Sequence, residues 1–207
     1  MIQPSSEAVD ALNVSRETLD HLKTYVNLVE QWNPRINLVS RASLAQIWER
    51  HILDSVQVFR CAPQGKTWVD LGSGGGFPGI VCAILAKETA PDTEFTMVES
   101  DQRKSAFLRA VIRETGVNCR VMSKRIEAVE PLSADILSAR ALADLNTLLS
   151  FCNRHLHASG TALLPKGASW KKELSKAQEE WKFTADPIKS ITEPQAVILK
   201  ITGVSRG

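Results

Sequence analysis

Apolar residues in the first third of the chain repeat with helical spacing. The repeat runs over residues 15–32, and Pro34 is expected to end that helix. We expect a short helix or tail before it, and a loop over residues 33–41 after it. A second helix is predicted from Ser43, with one apolar face made of Leu44, Ile47, Trp48, Ile52, Val56 and Phe59. The pattern therefore predicts a helical N-terminal extension over residues 1–64.

From Thr67 onward, short apolar runs alternate with helical patterns. The predicted strands cover residues 67–70, 94–98, 117–122, 134–138 and 161–164, and the helices between them cover 78–87, 101–115 and 144–155. A polar helix over 169–181 and a closing hairpin of strands 183–188 and 196–201 follow. This alternation is typical of a doubly wound α/β fold. We therefore expect residues 65–207 to form one domain with a mostly parallel, seven-stranded sheet.

The turn after the first predicted strand is the most informative stretch. Residues 68–80 read Trp-Val-Asp-Leu-Gly-Ser-Gly-Gly-Gly-Phe-Pro-Gly-Ile. The strand is expected to end at Asp70 and the helix to begin at Pro78, where a missing N–H costs no hydrogen bond. Ligands of open parallel sheets lie at the carboxyl ends of the strands. The turn is therefore predicted to direct the N–H groups of a helix start at a ligand.

Two spacings fit these glycines. Gly74-x-Gly76-x-x-Gly79 matches the dinucleotide fingerprint, whereas Asp70-x-Gly72-x-Gly74-x-Gly76 matches the turn of methyltransferases that bind S-adenosylmethionine. We favour the second, because a dinucleotide turn begins directly after its strand. A tight turn that binds nothing remains the alternative. The chain lacks the Gly-Lys-Ser/Thr of a P-loop, which excludes that class of site.

Composition describes an ordinary globular protein. The 207 residues carry 25 basic and 23 acidic side chains, so bulk charge argues neither for nor against a nucleic-acid partner. Cys61, Cys82, Cys119 and Cys152 are widely spaced, which favours reduced thiols over disulfides or a metal site. No apolar run has membrane-spanning length and no signal peptide is visible. We therefore expect a cytoplasmic protein that binds neither metal nor membrane.

Polar residues at other strand ends are further candidates. Glu99 follows the second strand, somewhat more than 20 residues beyond Gly76, near the offset at which an acidic side chain binds ribose hydroxyls. Its alternative role is a cap for the helix that follows. Arg140 ends the fourth strand, with pairing to Asp144 as its alternative, and Lys166 ends the fifth.

Five motifs together resemble one family. They are Asn37-Leu-Val-Ser, Arg50-His-Ile-Leu-Asp-Ser, Asp70 to Gly79, Ser138-Ala-Arg-Ala and Lys166-Gly. In this order they are similar to the bacterial small-subunit ribosomal RNA methyltransferase G family, also called glucose-inhibited division protein B. The similarity covers about residues 25–201. It implies a class I, Rossmann-like enzyme that uses S-adenosylmethionine to methylate N7 of a guanine in 16S ribosomal RNA near the decoding centre.

The resemblance also implies site residues. The family's cofactor contacts fall on Gly72, Phe77, Ile126, Glu127 and Arg140, and the glycine turn and strand ends add Gly74, Gly76 and Glu99. Val39 departs from the family, in which threonine is usual, so a polar role there is in doubt. Ser73 and Gly75 also depart from the common pattern.

The expected chemistry agrees with what the sequence lacks. N7 of guanine has a free lone pair, so alignment can supply much of the rate without a general base. Enzymes that methylate an exocyclic amine commonly carry an Asn/Asp-Pro-Pro-aromatic loop, and residues 138–141 stand in its place here. Enzymes that methylate a pyrimidine carbon need a nucleophilic cysteine, usually after a proline, and no cysteine follows a proline in this chain. Both absences favour a ring nitrogen as the acceptor. We assign Arg140 and Lys166 as catalytic residues, with Arg140 contacting guanine O6, a phosphate or the methionine carboxylate.

Arg50 and His51 on the second helix are assigned to RNA binding. Their structural alternatives are a hydrogen bond between His51 and Asp54 and an ion pair between Arg50 and Asp54. We expect a monomer that acts on 16S RNA or the small subunit. Two rival functions stay open, a nicotinamide-dependent oxidoreductase and an RNA-binding or ribosome assembly factor without methyl transfer.

Overall fold

The N-terminal extension is helical in a computed structural model that describes residues 2–207. Its elements are α1 (Ser6–Leu12), α2 (Arg16–Ile36), α3 (Arg41–Ala45), a π-helical turn (Trp48–Leu53) and α4 (Asp54–Cys61). The prediction that Pro34 ends the long helix is wrong. Pro34 lies in the last turn of α2 and, as a proline, has no N–H to donate. The helix still continues past it, because the Asn37 N–H donates to the Asn33 carbonyl at 3.0 Å.

The rest of the chain forms a three-layer α/β fold. The strands are β1 (Thr67–Leu71), β2 (Glu94–Val98), β3 (Cys119–Met122), β4 (Ala134–Ala139), β5 (Leu156–Lys166), β6 (Trp181–Lys189) and β7 (Val197–Arg206). The helices are α5 (Gly79–Thr89), α6 (Gln102–Thr115), a 3-10 turn (Ile126–Ala128), α7 (Leu145–His155) and α8 (Trp170–Ala177). The strand order is β3-β2-β1-β4-β5-β7-β6, and β7 pairs antiparallel with both β5 and β6, so it runs opposite to the other six strands. The predicted fold class is confirmed.

Several predicted element boundaries shift. β5 begins directly where α7 ends, rather than after Gly160, and α8 is shorter than predicted. Trp181 is the last residue of the predicted helix over 169–181, but it begins β6 and pairs with Arg206. Its indole is buried against the sheet, not on the apolar face of a helix.

The two faces of the sheet bury different sets of side chains. Alternate strand residues such as Trp68 and Val69 point to opposite faces and belong to separate clusters. On the Trp68 face, the core includes buried residues of the N-terminal helices as well as of α5 and α6, among them Leu22, Tyr25, Val29, Trp48, Ile80, Ile84 and Phe107. Residues 2–64 and 65–207 therefore share one core on this face. Within residues 2–207, no helix combines the length and apolar character needed to cross a membrane.

Removal of the N-terminal helices should abolish folding. A chain cut to residues 65–207 would expose the buried sides of α5 and α6, so we expect an insoluble product or one without a cooperative thermal transition. Soluble yield and circular dichroism melting would measure this. A chain that lacks only the exposed residues 205–207 is the control. A well-folded 65–207 fragment would contradict a shared core.

Candidate functional site

The glycine turn between β1 and α5 lies at the carboxyl ends of the central strands. Gly72, Gly74 and Gly76 have φ values of 62°, 53° and 95°, a region that L residues rarely adopt. A Cβ on Gly72 would lie 2.5 Å from Leu142 Cδ1, and one on Gly76 would lie 2.7 Å from Ile80 Cγ1. The positive φ favours glycine at both positions, and at Gly76 the buried Ile80 and Tyr25 side chains also leave no room for a Cβ.

Glu99 and Tyr25 hold this turn from two sides. Glu99 accepts the Gly74 N–H at 2.8 Å with Oε2, and the Asp101 N–H at 2.7 Å with Oε1. From the other side, the buried Tyr25 hydroxyl of α2 donates to the Gly75 carbonyl at 2.5 Å. The turn is therefore held between the end of β2 and the N-terminal extension.

Asp70 supports the site from beneath. Its side chain is 1% exposed, and Oδ1 accepts a hydrogen bond from the Ser138 hydroxyl at 2.6 Å. Burial raises the pKa of Asp70 to about 6, and Oδ2 has no hydrogen-bond partner among residues 2–207. Gly79 allows this packing, because a Cβ there would lie 2.7 Å from Asp70 Cβ. The carboxylate therefore contacts the sheet and α5, and it lines neither cavity beside the turn.

Two adjoining cavities follow the strand ends. The β2 cavity, of about 400 Å³, is lined by Glu99, Ile126 and Glu127 among others. The turn cavity, of about 470 Å³, lies between the glycine turn and the loop after α2, and it is lined by Phe77 and Arg140. Gly72, Gly74, Lys104 and Ala141 line both. Both volumes suit a small-molecule ligand.

The predicted site residues take different places around these cavities. Seven of the eight predicted cofactor residues line one cavity or the other. Gly76 lines neither and packs behind the turn, beside the Tyr25 hydroxyl and Ile80. Position 76 therefore needs glycine because its φ is positive and because Tyr25 and Ile80 leave no room for a Cβ.

Arg140 belongs to a stacked cluster with Phe77 and His51. The Phe77 and His51 rings stack with centroids 4.8 Å apart, and the guanidinium carbon of Arg140 lies 5.2 Å from the Phe77 centroid. Arg140 Nη2 is 2.8 Å from His51 Nδ1. A guanidinium only donates, so Nδ1 must accept and neutral His51 carries its proton on Nε2. The alternative pairing of Arg140 with Asp144 is not seen, because Asp144 caps α7 through the Thr147 N–H at 2.9 Å.

The α4 cavity lies beyond Arg140, between α4, the end of β5 and the β6–β7 loop. It measures about 400 Å³ and is lined by Arg50, His51, Asp54, Arg140 and Lys166 among others. It shares Ser43, His51, Arg140 and Ala141 with the turn cavity.

Arg50 and Lys166 differ in how firmly they are held. Lys166 Nζ forms an ion pair with Glu173 at 2.6 Å and donates to the Ala143 carbonyl at 3.0 Å. Arg50 is exposed, and its Nη2 lies 3.9 Å from a carboxylate oxygen of Glu193. His51 contacts Arg140. The two predicted alternatives, in which Arg50 or His51 pairs with Asp54, are therefore not seen. The Asp54 carboxylate instead accepts from the Thr192 hydroxyl. Lys166 is fixed in place, whereas Arg50 is free to meet a ligand.

Ala141 marks the junction, because it lines all three cavities. Its φ of 52° is uncommon for alanine. Backbone strain of this kind concentrates at functional sites.

Sequence reasoning missed several residues of this site. Tyr25 and Leu142 shape the glycine turn, and Lys104 places a cation between the turn cavity and the β2 cavity. Lys104 lies in the first turn of the predicted helix over residues 101–115, close to Glu99 in the chain, a signal that was available. The π-helical turn was not predicted. Within it, the Arg50 carbonyl accepts a hydrogen bond from the Arg140 side chain, and the His51 carbonyl accepts one from the Ser55 hydroxyl.

Comparisons with known proteins agree on one family. The family model described as GidB, rRNA small subunit methyltransferase G, matches residues 18–199. A ribosomal RNA small subunit methyltransferase G of Ruegeria pomeroyi is 64% identical, and the match covers 95% of this chain and 97% of the relative. The protein of that name from Paracoccus denitrificans is 51% identical, with 93% and 98% covered.

Solved structures share the fold at low sequence identity. A TehB-like SAM-dependent methyltransferase from Corynebacterium glutamicum gives a TM-score of 0.59 at 16% identity, covering 88% of this chain and 99% of the other. A SAM-dependent methyltransferase from Aquifex aeolicus gives 0.59 at 11%, with 85% and 97% covered. These likenesses support the architecture alone.

His51 should remain neutral in mildly acidic solution. Burial, followed by the charges of Arg140 and Arg50, lowers the pKa of His51 to about 3. In ¹⁵N-imidazole NMR spectra, we expect the neutral Nε2–H form of His51 to persist down to about pH 5. Loss of the signal in His51→Gln would assign it, and Arg140→Ala should raise its pKa by removing a cation. Titration of His51 near its ordinary pKa would contradict the buried cluster.

Proposed function

This chain belongs to the ribosomal RNA small subunit methyltransferase G family, and on that premise we propose that it uses S-adenosylmethionine to methylate N7 of a guanine in 16S ribosomal RNA. One structural observation supports this proposal. A continuous crevice runs from Ile126 past Glu99 and the glycine turn to Arg140 at the carboxyl ends of the strands. The crevice offers a carboxylate, Glu99, to the hydroxyls of a nucleoside cofactor, and it offers cations, Lys104 and Arg140, to a charged tail.

The residues of the crevice fit S-adenosylmethionine in detail. A Cβ on Gly74 would meet only the Gly72 carbonyl, at 3.7 Å, so this part of the turn offers bare backbone to a ligand. A carboxylate has about four lone-pair sites, and Glu99 uses two for backbone N–H groups, which leaves capacity for ribose hydroxyls. Ile126 supplies an apolar contact and Glu127 an acceptor for the adenine. The chemistry that this cofactor supplies when bound is an electrophilic methyl group on sulfur.

Arg140 and Phe77 form the transfer end of the crevice. Guanine N7 attacks with its own lone pair, so the protein has to supply alignment rather than a base. Arg140 commits N–H groups to His51 and to the Arg50 carbonyl, at 2.8 and 3.4 Å, and a guanidinium has five in all. The remaining donors are available for guanine O6 or for the methionine carboxylate. We assign Lys166 an indirect role, in which its bond to the Ala143 carbonyl holds the loop after Arg140.

Arg50 is the candidate contact to RNA phosphate, because its side chain is 59% exposed at the mouth of the α4 cavity. His51, half-buried and neutral, is assigned to positioning Arg140. The proposed partner is 16S RNA or the small subunit in the cytoplasm, with the enzyme acting as a monomer. In residues 2–207, no group of three or more His, Cys, Asp and Glu side chains is placed to hold a metal.

Mapping of N7-methylguanine in 16S RNA tests the proposed reaction. Cells without this protein should lose one such nucleotide, and the wild-type protein should restore it. The Arg140→Ala variant should restore at least about tenfold less N7-methylguanine than the wild type, because it loses a hydrogen-bond donor at the transfer end of the crevice. Arg103→Ala, which alters an exposed arginine on α6, is the matched control. An unchanged methylation pattern in cells without the protein, together with retained binding to the small subunit, would favour an assembly factor.

Glu99→Gln should weaken S-adenosylmethionine binding by about tenfold or more. The amide keeps one acceptor and turns an N–H₂ group toward a backbone N–H, so the turn loses a charge-assisted hydrogen bond. Isothermal titration calorimetry would measure the change. Glu94→Gln, at the exposed amino end of the same strand, should bind like the wild type. Equal affinities in the two variants would remove Glu99 from the cofactor site.

A further inference from the structure

The α4 cavity contains a carboxylate that lies outside the crevice proposed for S-adenosylmethionine. Asp54, the first residue of α4, is half-buried and lines this cavity. Among residues 2–207, the only hydrogen bond to its carboxylate comes from the Thr192 hydroxyl, which leaves the second oxygen without a donor. Such an oxygen in a cavity is an acceptor available to a ligand.

The β6–β7 loop is built to hold this carboxylate in place. Gln57 Nε2 donates to the Lys189 carbonyl at 2.6 Å, and Gln57 Oε1 accepts the Ile191 N–H at 3.1 Å. The Ser190 hydroxyl accepts the Thr192 and Glu193 N–H groups, each at 3.2 Å. These bonds fix the loop on α4 and set Thr192 against Asp54. The acceptor is therefore preorganised rather than mobile.

The groups that line the α4 cavity match the edge of a guanine base. Around that edge, guanine presents two donors, the N2 amine and N1–H, and then two acceptors, O6 and N7. Asp54 lines the α4 cavity but not the turn cavity, whereas Arg140 lines both. A guanine in the α4 cavity can therefore turn its donors toward the carboxylate and its acceptors toward the guanidinium and the turn cavity.

We propose that the α4 cavity receives the target guanine and that Asp54 selects it, accepting hydrogen bonds from N1–H and the N2 amine while Arg140 donates to O6. This inference rests on the proposed function. N7 then faces the turn cavity, past the His51–Arg140 contact. Adenine is rejected, because its N1 lone pair would face the carboxylate and its N6 amine would face the guanidinium.

Asp54 also contributes to the rate. When N7 takes the methyl group, its lone pair forms the new C–N bond, the electrons of the broken C–S bond stay on sulfur as a neutral thioether, and the positive charge passes from the sulfonium to the guanine ring. A carboxylate at the N1–H edge stabilises that charge as it forms, while the nearby Arg140 opposes it. Loss of the Asp54 charge should therefore slow methyl transfer without changing the affinity for S-adenosylmethionine, whose crevice Asp54 does not line.

A substrate that mixes guanine and inosine tests this selection. Inosine keeps N1–H, O6 and N7 but lacks the N2 amine. We would transcribe 16S RNA with inosine in place of part of the guanosine, assemble it with small-subunit proteins, and add the full-length enzyme. The readout is the ratio of 7-methylguanosine to 7-methylinosine at the modified position, relative to the two bases in the transcript. This ratio does not depend on the amount of folded enzyme.

The wild type should prefer guanine about tenfold, and Asp54→Asn should reduce the preference to about twofold or less. Glu49→Gln, an exposed acid near Asp54 in the chain that lines none of the three cavities, should keep the wild-type ratio. Unchanged preference in Asp54→Asn, or no preference in the wild type, would overturn the proposal.

Two further outcomes are distinguishable. If Asp54→Asn gives no product, the test uses Thr192→Val instead. This variant keeps the Asp54 carboxylate but removes the hydrogen bond that orients the carboxylate. That variant should lower the ratio severalfold, and an unchanged ratio would also overturn the proposal. If the wild type forms no 7-methylpurine at all, the proposed function fails, not the assignment of Asp54 alone.

Discussion

The hydrogen bond from the Gly74 N–H to Glu99 is the constraint on which the site depends. It joins the turn after β1 to the end of β2, and the same carboxylate accepts the N–H of Asp101, which caps α6. One side chain thus sets the positions of a loop, a strand end and a helix start. Because that carboxylate is 8% exposed, its bonds to the backbone are protected from water and hold the crevice open.

Several strand and helix limits were predictable, because they depend on local chemistry. β2 has the predicted bounds, and Asp101 and Gly116 begin and end α6 as expected. The glycine turn and the placement of Glu99 beside it also follow from spacing in an open parallel sheet. What local patterns could not predict was the set of partners. Arg140 contacts His51 instead of Asp144, and Asp54 contacts Thr192, which lies 138 positions further along the chain.

The helical extension is part of the site rather than an addition to it. Its long helix supplies Tyr25 to the glycine turn, its π-helical turn supplies His51 to the Arg140 cluster, and α4 supplies Asp54. Periodicity predicted these helices but not which face met the sheet, because an apolar stripe fixes burial and not its partner. The proposed cofactor and RNA sites therefore meet where the extension and the sheet join.

The bond between Tyr25 and Gly75 spans 50 positions of the chain, so the order of synthesis matters. The first helices leave the translating ribosome with their apolar faces bare, and the segments that cover them emerge only later. During that interval the nascent chain is exposed to aggregation and to chaperones. An enzyme proposed to modify the ribosome is thus itself most vulnerable while a ribosome is still making it.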